Sequence, residues 1–220
     1  MHAAMPAKRK KEEEIVAALV QIICAPCHDA VVSEIALRWS RLPRREHGHI
    51  GTQVHRLRPG SLYVFTKWNI RHQLDRYLNA LSASVDLRRY LVAAPTASKA
   101  KMLSCPADHE PEPRASLQAQ SQVILVPFFS IVPEREAVEH VKQAHLSVID
   151  STRREPGCLM YDLYQLMDDP HTMFFYEKWQ NAGALEHHMN TGNFYRVVRN
   201  EVDPCLLVPW TALNMKLLTR

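Results

Sequence analysis

Residues 155–166 read EPGCLMYDLYQL, and an earlier part of the chain repeats their pattern. Residues 46–57 read EHGHIGTQVHRL, so the two stretches lie 109 positions apart. Further on, SLYVFTKW at 61–68 matches TMFFYEKW at 172–179, at a shift of 111 positions. Self-similarity at one nearly constant spacing indicates two copies of a single structural unit.

The second copy shows the order of elements most clearly. Its first apolar run, QVILVPFFSIV at 122–132, predicts a strand that is buried on both faces. Pro133 and the acidic residues after it predict a helix start. The helix has one apolar stripe, at steps of three and four residues, made of Val138, Val141, Ala144, Val148 and Thr152.

The rest of the second copy predicts two more strands, a helix and a last strand. The stretches 158–166 and 172–179 alternate as paired strands do. Asn181 is placed to cap a helix that brings Leu185, His188 and Met189 to one side, and ALNMKLL at 212–218 follows as a strand. Each copy is therefore an α+β unit of about 100 residues.

The strands of this unit are apolar on both faces. Helices cover only one face of such a sheet, so the other face needs a second cover. The nearest cover is the other copy, and the sequence therefore predicts two sheets that face each other as a pseudo-dimer within one chain. The two faces of the strand after Gly157 are Leu159, Tyr161 and Leu163 on one side, and Cys158, Met160 and Tyr164 on the other, with Asp162 interrupting them.

The domain boundaries follow from the repeat and from composition. We expect a disordered tail at 1–13, a first unit at 14–105, a linker at 106–120 and a second unit at 121–220. The linker is rich in proline, glutamate and polar residues, as linkers are.

Composition limits the classes of function. The 220 residues are 46% hydrophobic and 23% charged, which is typical of a folded protein, and the net charge of +4 is a weak signal for nucleic acid. No apolar run approaches the roughly 20 residues needed to cross a bilayer. Five cysteines at irregular spacing favour free thiols in a reducing compartment. We expect a cytoplasmic protein with no membrane or nucleic-acid partner.

The sequence CAPC at 24–27 resembles the start of a thioredoxin-type oxidoreductase. The repeat argues against that interpretation, because the shift of 109 places Cys24 on Pro133 and Cys27 on Glu136, at a strand-to-helix corner. Redox sensitivity of this pair is kept as a minor hypothesis, since a helix N-terminus lowers thiol pKa values.

The stretch 155–194, EPGCLMYDLYQLMDDPHTMFFYEKWQNAGALEHHMNTGNF, resembles the signature of the antibiotic biosynthesis monooxygenase (ABM) family. That pattern runs E-P-G-C, an alternating strand, an acidic turn, Y-E-x-W, A-L-x-x-H, and a small-residue turn before an aromatic residue. The resemblance implies tandem ferredoxin-like units that form an intramolecular dimeric α/β-barrel. The first copy is a diverged unit, with Thr66 in place of Glu177 and Tyr77 in place of His188.

The resemblance implies oxidation of a small aromatic substrate, such as a quinol, a phenol or an anthrone, by dioxygen and without a bound cofactor. We expect the site in the second unit, with His188 and Trp179 as candidate catalytic residues and Phe128, Tyr176 and Asn193 as candidate substrate-binding residues. His188 has a ring that serves as base or donor near neutral pH. Asn193 stands where relatives carry a second histidine. Strand alternation places Tyr176 opposite Glu177, for which we expect a structural hydrogen bond.

Two alternatives stay open. The first is a non-catalytic barrel that binds a small hydrophobic ligand or a protein partner. The second, a haem-degrading oxygenase, is weaker because the first strand of the second unit lacks the asparagine typical of that branch. The pseudo-dimer is also able to pair further as a homodimer.

The twelve histidines do not predict a metal site. His49 and His55 lie on one face of a predicted strand but about 20 Å apart at the strand rise. His187 and His188 are adjacent on a helix and diverge.

Overall fold

The computed structural model describes residues 14–104 and 122–218. The predicted tail at 1–13 and the predicted linker at 106–120 lie outside these residues. Within the described part, each half has the predicted order of strand, helix, strand, strand, helix, strand.

The first half contains these elements: β1 Val16–Ile23, α1 Asp29–Trp39, β2 His49–Arg58, β3 Ser61–Trp68, α2 Arg71–Ala83, α3 Val85–Arg88 and β4 Thr96–Met102. The second half contains β5 Val123–Ser130, α4 Arg135–Leu146, α5 Ile149–Arg153, β6 Cys158–Leu166, β7 Thr172–Trp179, α6 Ala182–Met189, α7 Gly192–Phe194, a π-helix at Tyr195–Val202 and β8 Thr211–Leu217. Short 3-10 turns lie at Pro26–His28, Leu42–Arg45 and Asp203–Cys205.

The eight strands form one closed barrel in the order β1-β3-β2-β8-β5-β7-β6-β4. Every pairing is antiparallel, and each half contributes a four-stranded sheet with the same internal order. The halves join at two seams, β2 with β8 and β4 with β6. The prediction that two apolar sheets face each other within one chain is confirmed.

The barrel interior is packed with side chains from both halves. At its centre the rings of Phe65 and Tyr176 stack with centroids 4.0 Å apart and planes 9° apart. These residues are 111 positions apart, so they are equivalent in the two copies. Their outer neighbours are equivalent too, because Tyr164 lies against Phe65 at 5.6 Å and His55 lies against Tyr176 at 5.7 Å. An approximate two-fold axis therefore passes between the stacked rings.

The helices cover the outer face of each sheet and form two further cores. In the second half, the predicted stripe of the first helix is buried at Val141, Ala144, Val148 and Thr152. The stripe is shared by α4 and α5, because the first helix ends at Leu146 and the chain then begins a second short one. Asn181 caps α6 as predicted, since its side chain accepts a hydrogen bond from the Ala184 backbone N–H at 2.9 Å.

One glycine in each half fixes the corner before the second strand. Gly48 and Gly157 have φ values of +83° and +81°, a conformation that favours glycine. A Cβ atom on Gly157 would lie 2.6 Å from the Cβ atom of Ala184. The glycine therefore lets α6 lie directly against the turn that precedes β6.

The two cysteines of CAPC lie at a strand-to-helix corner. Cys24 is buried at the end of β1, and exposed Cys27 belongs to the 3-10 turn that leads into α1. Both thiols are free. Burial, with the nearby charge of Asp29, raises the pKa of Cys24, so the expected activation of a thiolate does not hold for this residue.

The helices of the described residues include none with the length and apolar character that a membrane span requires. The π-helix at Tyr195–Val202 was not predicted from the sequence. It follows α6 and α7 and places Val197, Val198 and Val202 in the core of the second half.

Replacing Phe65 with alanine should lower the free energy of unfolding by about 3–5 kcal/mol, because the substitution removes one of the two stacked rings at the barrel centre. Urea unfolding measures the difference. The control is Val92→Ala, at a side chain that is 71% exposed, with an expected change within about 0.5 kcal/mol. Equal effects of the two substitutions would contradict a barrel centred on this stack.

Gly157→Ala should lower the free energy of unfolding by at least about 1–2 kcal/mol, because alanine is strained at a positive φ and its Cβ atom meets Ala184. Gly51→Ala is the matched control, since a Cβ atom there has no neighbour within 4 Å. Urea unfolding of both variants checks the prediction, which fails if they are equally stable.

Candidate active site

The candidate site lies in the second half, under α6. His188 is on α6 and its side chain is only 5% exposed. Its Nδ1 atom lies 2.9 Å from Oε2 of Glu155, which lies between α5 and β6. Because the side chain of Glu155 is itself only 12% exposed, the pair is largely shielded from solvent.

Three aromatic rings hold the imidazole in place. Trp179 stacks on it with centroids 4.7 Å apart, and Tyr161 and Phe194 meet it edge-on at 5.4 and 5.5 Å. Burial lowers the pKa of His188 by more than Glu155 raises it. The ring is therefore neutral at pH 7, and a proton on Nδ1 donated to Glu155 leaves Nε2 as the basic nitrogen.

Glu177 is a second titratable group in the same region. It lies on β7 and is fully buried, and burial raises the pKa of its carboxyl group to about 8. The indole N–H of Trp179 donates a hydrogen bond of 2.9 Å to its Oε2 atom. At neutral pH this carboxyl group is mostly protonated, so the site contains a neutral base and a neutral acid.

A small cavity connects the two groups. It has a volume of about 20 Å³ and is lined by Glu177 and His188 together with apolar side chains that include Phe129 and Trp210. That volume holds about one water molecule. The side chains of Leu185, Met189 and Phe194 separate the cavity from a surface groove of about 420 Å³, because they line both spaces.

The predicted site residues are only partly brought together. His188 lines the cavity, and Trp179 lies behind it, where it positions His188 and Glu177. Asn193 is exposed and its amide group donates a hydrogen bond of 3.3 Å to Ser151 Oγ.

Phe128 and Tyr176, the other two candidate substrate-binding residues, face the barrel interior and do not line the cavity beside His188, where Phe128 was expected. Phe128 packs on Phe174 at 5.2 Å, while the next residue, Phe129, lines the cavity. The hydroxyl of Tyr176 lies 2.8 Å from His55 Nε2 and 2.8 Å from Gln53 Oε1. Alternation along a strand explains both differences, since neighbours point to opposite faces.

Sequence reasoning missed Glu155 as a site residue and assigned Glu177 a structural role only. Two signals were present. Glu155 opens the E-P-G-C motif, and Glu177 lies two residues before Trp179 and therefore on the same face of β7.

The first half has the same frame but different chemistry. The indole N–H of Trp68 donates to Thr66 Oγ1 at 2.8 Å, in the way that Trp179 donates to Glu177. Tyr77 occupies the position of His188. The first half therefore lacks both the acid and the base. Among the described residues, no cluster of three or more histidine, cysteine, aspartate or glutamate side chains is arranged to hold a metal ion.

Comparisons with known proteins agree with this fold. Residues 123–200 match the family model of the antibiotic biosynthesis monooxygenase domain. The "Uncharacterized protein sll1783" of Synechocystis is 34% identical over 55 residues, which are 25% of this chain and 37% of that protein. The "Putative monooxygenase YcnE" of Bacillus subtilis is 28% identical over 72 residues, which are 33% of this chain and 74% of that protein.

Two solved structures match both halves. A "Putative monooxygenase" from Fusobacterium nucleatum has a TM-score of 0.76 and 9% identity, over 94% of each chain. An "anthrone oxidase-like protein" has a TM-score of 0.64 and 9% identity, over 95% of this chain and 93% of that one. At these identities they show the fold alone. Residues 123–200, most of the second half, thus match the ABM family model, and the barrel as a whole has the fold of these two structures.

Proposed function

We propose that this protein is a cofactor-independent monooxygenase that oxidises a small aromatic substrate, a quinol, phenol or anthrone, in its second half. The observation that carries the proposal is the pairing of His188 with Glu155 next to the protonated Glu177, in a cavity with apolar walls. Neighbouring groups whose pKa values are shifted in this way are typical of acid–base sites.

The substrate supplies the electrons in this reaction. For an activated CH₂ group, Nε2 of His188 removes one proton, and the resulting carbanion is oxidised by dioxygen as a carbon–oxygen bond forms. Glu177 protonates the peroxide and its carboxylate then takes the remaining hydrogen of that carbon. The carbonyl forms as the oxygen–oxygen bond breaks, and the departing hydroxide leaves as water with the proton held by His188. One oxygen atom stays on the substrate and both residues regain their starting forms.

Glu155 and Trp179 act as positioning residues. Glu155 holds the proton on Nδ1 and stabilises the imidazolium that forms, in the manner of the third member of a catalytic triad. Trp179 orients both His188 and Glu177 through one stack and one hydrogen bond. An aromatic substrate fits the aromatic lining, and the fold neighbour named as anthrone oxidase-like suggests the substrate class.

Substrate entry requires a small rearrangement, because the cavity of about 20 Å³ is far below the size of an aromatic ring system. Leu185, Met189 and Phe194 form its wall toward the surface groove. Outward rotation of these three side chains joins the cavity to the groove, and a substrate then lies against His188.

The small cavity also favours the alternative, a non-catalytic barrel that binds a hydrophobic ligand or a protein partner. The two functions differ in oxygen uptake. If this protein binds anthrone or a quinol but consumes no dioxygen, it is a non-catalytic barrel.

Replacing His188 with alanine should lower kcat/KM by about 10²- to 10⁴-fold, because the variant lacks the base. An oxygen electrode with a panel of anthrones and quinols measures the rate. His187→Ala is the matched control, since His187 is the next residue on α6 and is exposed, and its rate should be unchanged. An active His188→Ala variant would exclude the mechanism.

The rate should depend on pH in a bell-shaped manner. The acid limb comes from protonation of His188, whose pKa lies below the ordinary 6.5, and the alkaline limb from ionisation of Glu177 near pH 8. Glu177→Gln keeps an acceptor for Trp179 but cannot ionise, so its lower rate should have no alkaline limb. Profiles of kcat/KM against pH for both proteins test this, and an alkaline limb that is identical in the variant would assign it to another group.

A further inference from the structure

An open groove lies between the helices of the first half, and the two halves differ in the helices that surround this place. Helix α2 continues to Ala83, six residues beyond Tyr77, whereas α6 ends at Met189, one residue beyond His188. After α6 the side-chain amide of Asn193 donates a hydrogen bond to Ser151 Oγ in α5.

The groove has a volume of about 360 Å³. It lies between the end of α1, the 3-10 turn at Leu42–Arg45 and α2. This volume falls in the range of about 300–1,000 Å³ that is usual for small-molecule sites. It is also distinct from the cavity beside His188, which lies in the other half and is lined by different residues.

The groove has aromatic walls. Trp39, Trp68 and Tyr77 line it, and the ring of Tyr77 lies 6.3 Å from that of Trp39 and 5.8 Å from that of Trp68. Trp39 is partly exposed, while Trp68 and Tyr77 are buried beneath it. Flat aromatic molecules pack well against such surfaces.

The hydroxyl oxygen of Tyr77 is shielded from solvent and has no hydrogen-bond partner among the described residues, and the residue as a whole is 7% exposed. A buried donor without a partner destabilises the fold, and a ligand that pairs with it removes this penalty. In the second half the equivalent residue, His188, is paired with Glu155, but the counterpart of that glutamate, Glu46, is exposed and makes no bond to Tyr77. Burial raises the pKa of the Tyr77 hydroxyl well above its ordinary value, so the hydroxyl stays a donor.

The charged groups that line the groove are Glu46 and Arg76, and both are exposed residues. Their charges are opposite, so the groove favours a ligand without net charge. Gln73 and Asn79 add neutral polar groups beside them.

We propose that this groove is a second binding site, which takes a neutral, planar aromatic molecule whose carbonyl oxygen accepts a hydrogen bond from Tyr77 Oη after a small side-chain shift brings the shielded hydroxyl to the groove. The site binds without chemistry, because the first half has neither the acid nor the base of the second. This binding is independent of the oxidation proposed above.

The test uses the full chain and two matched probes, 9-fluorenone and fluorene, which differ in the carbonyl oxygen. NMR titration follows the indole N–H signals of Trp39 and Trp68. We expect fluorenone to shift both signals and to bind more tightly than fluorene. Tyr77→Phe should weaken fluorenone binding about 3- to 10-fold, as expected for the loss of one hydrogen bond, and should leave fluorene binding unchanged.

Two further variants locate the site. Ala80→Trp, at an exposed position that lines the groove, should abolish the shifts of Trp39 and Trp68, while His188→Ala should preserve them. Tyr77→Phe should fold normally, because it removes an unpaired polar group, and a thermal midpoint at or above that of the parent protein shows this. Absence of fluorenone binding, equal affinity in Tyr77→Phe, or shifts that persist in Ala80→Trp would each overturn the proposal.

Discussion

The structure depends on the burial of two apolar sheet faces against each other at the barrel centre. The backbone seams between the halves are short, with two paired positions between β2 and β8 and three between β4 and β6, whereas β1 and β3 share eight. Side-chain packing therefore provides most of the association. The stack of Phe65 on Tyr176 lies on the approximate two-fold axis, so the two halves contribute equivalent residues to the centre of their interface. Because the interface is inside one chain, association does not depend on protein concentration.

Polar groups inside the barrel help to fix how the halves are oriented. Asp162 is fully buried and pairs with Lys67 of the first half at 3.7 Å and with Arg153 of its own half at 2.8 Å. A buried carboxylate that lost these partners would be strongly destabilising, so alternative registers between the halves are disfavoured. A second polar contact between the halves joins the hydroxyl of Tyr176 to His55 of the first half. Burial lowers the pKa of His55 to about 3, so its ring stays neutral.

The two halves show how one frame serves two chemistries. In each half a tryptophan at the end of the third strand donates its indole N–H to the side chain two residues earlier. Glu177 at that position gives the second half a buried acid, and Thr66 gives the first half a neutral hydroxyl. His188 requires Glu155 as a partner, whereas Tyr77 has none and lies beside an open groove. The halves thus differ in side chains and in where their second helices end, while the strands keep one arrangement.

The repeat, the order of elements, the resemblance of the second half to the ABM family and the place of His188 on a capped helix were all predictable from the sequence, because they follow from local pattern, capping and a specific motif. The residues that surround His188 were not predictable in this way, because they come from distant parts of the chain. The partner Glu155 lies 33 positions away and meets it because Gly157 lets α6 approach the turn. Phe128 and Tyr176 lie on the interior face, since a β-strand reverses side-chain direction at each residue and a shift by one changes the face. Local sequence fixes that alternation, but long-range packing decides which face meets the helices and which meets the other half.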